Sequence, residues 1–400
     1  MTFPWYSFVA VLVALVAVGY RFYLIYPLSR TGPVIYVVGD LHGDVECAKF
    51  WVEGVGVVDS VDNPQQWLQP EASLVFMGDY VDKGPKSYQT LRFVQSLTER
   101  FPEKVTALMG NHEMELLKDR DGRRRVGYFQ MPYATVHPAE YLNFLERETD
   151  ATDHLVVDLL LNASLEVYAG NHYRSVIYAP YGVGGGRHVV TELMPEDIRP
   201  LVSQRLKEYQ DVYINAFRSN TTLGKWLEQR PVAHVQNGFF FCHGGISKLV
   251  ASALTTLDDV NEINQAVGAN TNEARFVDFL EQTQTGRVVR DLLLHRGNHR
   301  DVNACEDLKT MLGGMDGMDH LVVGHTPGKN VRIQCDETLL AVDSMLGRWI
   351  RTSGNHYCPN TERRSRNGQF VCPSVTESCQ GQIVRIAGND IQVLFPGTDA

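Results

Sequence analysis

Asp40 and His42 in Gly39-Asp40-Leu41-His42-Gly43, Asp79 and Asp82 in Gly78-Asp79-Tyr80-Val81-Asp82-Lys83-Gly84, and Asn111 and His112 in Gly110-Asn111-His112-Glu113 are the residues best equipped for chemistry. Carboxylates, imidazoles and an amide oxygen make a hard, oxygen-rich donor set suited to two divalent ions. A single Gly-Asp or Gly-Asn pair is ordinary turn punctuation. Three such phrases in this order, each just past an apolar run, point instead to a metal site. His243, after Gly238-Phe239-Phe240-Phe241-Cys242, and His325, after His320-Leu321-Val322-Val323-Gly324, repeat the pattern twice more. A lone histidine after a strand is usually a core or turn residue, but the three earlier phrases make these two candidate ligands.

The apolar runs are the elements that must position these side chains. Val34–Val38, Ser73–Met77 and Val105–Met109 are continuous enough to be strands covered on both faces. Helix-like stretches, Glu46 to Val55 and Tyr88 to Arg100, lie between them. Parallel strands joined by helices follow, with the ligands converging at one edge of the sheet.

From about Val34 to Val342 the chain resembles the calcineurin-like metallophosphoesterases of the phosphoprotein phosphatase superfamily. The resemblance implies an α/β sandwich of two mixed β-sheets flanked by helices, and a dinuclear centre of Mn, Fe or Zn. It assigns Asp40, His42 and the bridging Asp79 to the first metal, and Asp79, Asn111, His243 and His325 to the second. His112, supported by Asp82, becomes the proton donor to the leaving group. Within the superfamily the chain is more similar to the Shewanella-like phosphatases, through Asp44 after the first phrase, Leu223-Gly224-Lys225-Trp226-Leu227 followed by Arg230-Pro231 and Asn237-Gly238, and Cys335 and Asp343 after Gly324-His325-Thr326.

One departure stands out. Lys83 occupies a position where protein phosphatases of this superfamily usually carry an Arg that grips phosphate. Lys keeps the charge and loses the bidentate fork. Arg296, in Leu294-His295-Arg296-Gly297-Asn298, is the expected second phosphate ligand, with Arg290 and Arg300 as nearby competitors. The implied reaction is in-line attack on phosphorus by a metal-bridging hydroxide. Lys83, Arg296 and Asn111 neutralise the equatorial oxygens, and His112 protonates the leaving group. Cys242 lies in an apolar strand and reads as a small buried hydrophobe, not a nucleophile.

The 37 basic and 47 acidic residues give a net charge of -10, which argues against a nucleic-acid partner. Residues 31–400 read as one catalytic domain. Residues 118–236 form a largely helical insertion in it, expected to cap the site through a helix between Glu196 and Arg218. The run Arg120-Asp121-Gly122-Arg123-Arg124-Arg125 within it is a solvated loop or a border of the substrate cleft. Gly184-Gly185-Gly186 is a turn, since no Lys-Ser or Lys-Thr follows it to make a phosphate loop. Residues 352–380 read as a polar loop insertion before two final strands, Gln382 to Ile386 and Ile391 to Phe395. A disulfide between two of Cys358, Cys372 and Cys379 is expected to tether it.

At the N-terminus, Phe3 to Tyr20 is an uncharged stretch of 18 residues with aromatic ends, long enough to span a bilayer as a helix. The lack of a basic start and the further apolar patch Phe22 to Leu28 favour a retained single-pass anchor in residues 1–30 over a cleaved signal. Arg21 and Arg30 would place the catalytic domain in the cytosol. The acceptor triplets Asn162-Ala163-Ser164 and Asn220-Thr221-Thr222 point the other way. Three functions remain: a membrane-anchored phosphatase of phosphoproteins or small phosphoesters, a hydrolase of dinucleoside polyphosphates or RNA caps, and a non-enzymatic scaffold. The last requires lost ligands, and none is missing.

Overall fold

The computed structural model describes residues 33–120, 136–169, 195–272, 275–353, 364–366, 369–371 and 378–396. Two five-stranded sheets form its centre, in the orders β12-β11-β1-β2-β3 and β4-β5-β6-β8-β7, and a separate hairpin pairs β9 with β10. The strands are β1 (Val34–Val38), β2 (Ala72–Phe76), β3 (Val105–Ala107), β4 (Ala233–Gln236), β5 (Phe239–Cys242), β6 (His320–Val323), β7 (Arg332–Gln334), β8 (Leu339–Ala341), β9 (Arg364–Arg366), β10 (Gln369–Val371), β11 (Ile383–Ala387) and β12 (Asp390–Leu394). β1, β2 and β3 are mutually parallel, as are β5, β6 and β8, and antiparallel strands complete both sheets.

Side-chain alternation along the strands explains the layering. Ile35, Val37, Val75 and Met77 of the first sheet meet Phe239, Phe241, Val322 and Leu340 of the second in one dry core. The alternate residues, among them Tyr36, Val38, Leu74, Phe76, Phe240 and Cys242, face outward into the cores formed with the helices. Being apolar on both faces, these strands read as unbroken hydrophobic runs. Helices α1 (Val45–Val55) and α2 (Ser87–Arg100) connect the first three strands, and α3 (Asn111–Arg120) follows the third phrase. Asp44 caps α1 by accepting a hydrogen bond from the Cys47 amide, and Gly56 ends it in the left-handed region.

The described part of residues 118–236 is largely helical, with helices at Ala151–Ala169, Arg199–Asn215 and Thr222–Glu228 and a 3₁₀ turn at Pro138–Phe144. Tyr213 and Phe217 pack on Phe144, and Tyr209 stacks on Tyr141. The Arg120 guanidinium donates to the Phe217 carbonyl oxygen and so ties the end of α3 to this layer. Arg123, Arg124, Arg125 and Gly184–Gly186 lie outside the described residues.

The tether expected within the tail differs in the structure. Cys379 is bonded to Cys47 in the first turn of α1, and a second disulfide joins Cys305 to Cys335. The bridge therefore fixes the start of the last strand pair to the helix behind the first phrase. Cys358 and Cys372 lie outside the described residues, as does the candidate anchor Phe3 to Tyr20. Among the described residues no helix is long and apolar enough to cross a membrane.

Candidate metal centre

All five ligand phrases fall at the C-terminal ends of parallel strands, and the parallel pairing brings those ends together. The turns there are tight. His42, Asp79 and His325 all have positive φ, at 46°, 55° and 63°, as do Asp82 and Lys83. Non-glycine residues rarely adopt this conformation outside sites whose surroundings hold them there. Gly110 lies so close to Asp79 that an added Cβ would meet its backbone nitrogen and side-chain oxygen, and a Cβ on Gly324 would meet Asp40.

Asp79 sits at the centre, 2% exposed. Its Oδ2 lies 3.5 Å from His42 Nε2, and its Oδ1 lies 3.2 Å from His243 Nε2. The Nδ1 of His42 donates to the Val81 carbonyl oxygen at 3.0 Å, and that of His243 to the Met77 carbonyl oxygen at 2.7 Å. Each ring is thereby fixed with Nε2 turned toward Asp79, the arrangement by which backbone carbonyls orient metal-binding imidazoles. Two buried groups of donor atoms share this carboxylate: His42, Asp79 and His112, and Asp79, His243 and His325. Asn111 Oδ1 lies 3.0 Å from His243 Nε2, and Asp40 Oδ2 lies 3.9 Å from His42 Nε2. Asp40 also accepts the His325 backbone N–H at 3.2 Å, which links the first phrase to the last.

These donors fit a pair of divalent ions. Backbone carbonyls hold the His42 and His243 rings with Nε2 inward, the shared carboxylate offers one oxygen to each side, and the set mixes nitrogen and oxygen as borderline and hard divalent cations require. The buried groups act strongly on one another. Burial, then Asp343, push the Asp40 carboxyl well above its usual range. Burial would raise Asp79 too, but His243, His112 and His42 hold it well below. Burial opposes charge on His243, yet Asp79 and Asp40 raise it to about 9, while burial, His243 and Arg296 lower His325 to about 2.

His112 Nδ1 donates to Asp82 Oδ2 at 2.6 Å, leaving Nε2 3.8 Å from Asp79 Oδ2. The Lys83 ammonium lies 2.7 Å from His42 Nε2, and burial lowers its pKa against the pull of Asp79, Asp40, Asp343 and Asp82. Arg296 donates to the His325 carbonyl oxygen at 2.6 Å and to Thr326 Oγ1 at 3.2 Å, so it borders the cluster while bracing the last phrase. Arg290 is exposed on the helix Gln284–Leu294.

Sequence reasoning gave no role to Glu113. It is fully buried, and its two oxygens accept four backbone N–H groups: Asp79 and Gly110 on Oε2, Tyr80 and Val81 on Oε1. Burial and Asp79 raise its pKa to about 7. A carboxylate one place past His112 was the available signal. Asp44 also gains a use, since it receives both the side chain and the backbone N–H of Arg348 at 2.8 Å.

Residues 33–191 match the model of the calcineurin-like phosphoesterase family. The chain is 39% identical over 83 residues to an uncharacterized protein of Schizosaccharomyces pombe, which is 20% of this chain and 25% of that protein. It is 32% identical over 97 residues to an uncharacterized protein of Caenorhabditis elegans, covering 24% and 38% respectively. These matches span well under half of the curated relatives. A cold-active protein-tyrosine phosphatase of a psychrophilic Shewanella species superposes with a TM-score of 0.52 at 18% identity, covering 92% of this chain and 79% of that one. The phrases of Asp40, Asp79 and Asn111 at the strand ends described above lie within the matched residues, so this part of the chain is similar to the calcineurin-like phosphoesterases.

Proposed function

We propose that the protein is a dinuclear-metal-dependent phosphatase acting on phosphoproteins. The observation that carries this reading is Asp79, whose two oxygens point to imidazoles from different sheets, His42 and His243. Asp40, His42, Asp79, Asn111, His243 and His325 would hold two ions of Mn, Fe or Zn. When bound, such a pair activates water and neutralises phosphate charge.

The chain's own groups do the rest. His112, its Nδ1 bonded to Asp82, presents Nε2 to the cluster and delivers a proton to the departing oxygen. Arg296 and Lys83 supply positive charge for the phosphoryl oxygens, and the Asn111 amide fixes orientation. The turn strain and the Glu113 hydrogen bonds keep these groups in place before substrate arrives. The Shewanella-like motifs and the fold shared with a protein-tyrosine phosphatase support a phosphoprotein over a dinucleotide. Phe3 to Tyr20 is assigned as a single-pass anchor.

A substrate panel on the full-length, metal-loaded protein tests this. Hydrolysis of phosphotyrosine or phosphoserine peptides with higher kcat/KM than diadenosine tetraphosphate is expected. Preference for the dinucleotide would replace this reading by the polyphosphatase one, and no hydrolysis of any substrate by the loaded protein would favour the scaffold.

A further inference from the structure

Four cysteines far apart in sequence meet in two disulfides, Cys47–Cys379 and Cys305–Cys335. Cys305 lies at the surface and Cys335 is half-buried. In a thiol-rich cytosol, a bridge so placed would be open to exchange. Cys242, the free cysteine among the described residues, is buried in β5, so no reactive thiol is displayed there. This cysteine usage belongs to an oxidising compartment. A second, separate feature agrees with it. Asn220 ends the turn after the helix Arg199–Asn215, and Thr221 and Thr222 are the cap and first residue of the helix Thr222–Glu228, with Asn220 and Thr222 both exposed and Thr221 accepting from the Gly224 amide.

We infer that the catalytic domain lies on the oxidising, glycosylating side of the membrane and that Asn220 is its N-linked glycan acceptor. This reverses the side suggested by Arg21 and Arg30, whose pull is that of two charges. In the modification, Asn220 Nδ2 forms a bond to C1 of a lipid-linked oligosaccharide and gives up one proton. The C1–O bond to the lipid diphosphate breaks, and the diphosphate leaves with the electron pair. Each disulfide forms by exchange with an oxidoreductase disulfide, which takes up two electrons and two protons from the cysteine pair. The assignment is independent of which phosphoester the enzyme cleaves.

The test is expression of the full chain in a eukaryotic cell with an intact secretory pathway. Treatment with an endoglycosidase should increase gel mobility. Asn220→Gln and Thr222→Ala should remove one glycan's shift before treatment, and Thr222→Ser should keep it. Digestion without reduction should recover Cys47 linked to Cys379 and Cys305 linked to Cys335. Asn220→Gln migrating with the wild type, or these four cysteines alkylated in unreduced protein, would overturn the proposal.

Discussion

Replacing Glu113 should damage the centre without touching a metal ligand. Its carboxylate accepts from Asp79, Gly110, Tyr80 and Val81 at distances between 2.8 and 3.2 Å, and the side chain has no exposure to water. Glu113→Gln preserves volume but turns an NH₂ toward two of the four donors. Each buried donor left unpaired costs about 1–3 kcal/mol, so Gln should cost roughly 2–6 kcal/mol. Glu113→Ala strands all four, roughly 4–12 kcal/mol, comparable with the 5–15 kcal/mol that typically holds a whole domain together. Urea unfolding of the Gln variant should show the midpoint shift, and manganese titration should show weakened binding because the Asp79 turn is no longer fixed. The Ala variant should fail to accumulate as folded protein. A Gln variant within about 0.5 kcal/mol of wild type, with unchanged metal affinity, would mean that these four bonds do not hold the Asp79 turn.

His112→Asn should slow an alkyl phosphate at least tenfold more than a nitrophenyl phosphate, whose leaving group needs little protonation; equal losses would assign His112 to phosphate positioning. Arg296→Ala should raise KM and lower kcat together, since Arg296 both borders the donor cluster and braces His325, while Lys83→Arg should improve turnover of a phosphopeptide by restoring a bidentate fork; a gain confined to a polyphosphate would contradict the phosphoprotein reading. Burial holds His137 near pKa 4 against an ordinary 6.5, so the unfolded chain takes up that proton first. Stability should fall by roughly 3 kcal/mol between those two pH values, and His137→Asn should flatten the loss in acid unfolding curves.

The gathering of these side chains at one sheet edge was legible in the sequence because each follows an apolar run directly. Such runs fix strand ends to within two residues: β3 stops at Ala107 where the run Val105–Met109 predicts Met109, and β6 spans His320–Val323 directly before Gly324. What stayed hidden depends on pairing across the chain. Cys47 and Cys379 are separated by 332 positions, and nothing local marks either as a partner, so the tail tether was sought within the tail. Glu113 was hidden differently: its four partners are backbone groups, which leave no trace in residue type. Lys83 reads as a substrate-facing charge, and residue type does not reveal its second neighbour: the ammonium lies 2.7 Å from His42 Nε2, in a turn where Asp82 and Lys83 both have positive φ.

In the proposed mechanism Asp79 ties two metal sites into one hydrolytic centre. Metal content and phosphopeptide hydrolysis measured together on full-length wild type and Asp79→Asn test it most directly, after chelator treatment and dialysis against manganese. About two ions per wild-type chain are expected, with activity lost on chelation and restored by metal, and an Asn variant that retains the fold but has lost metal and at least nine-tenths of the rate. An Asn variant that binds two ions and hydrolyses as the wild type does, or a metal-free wild type that remains active, would contradict it.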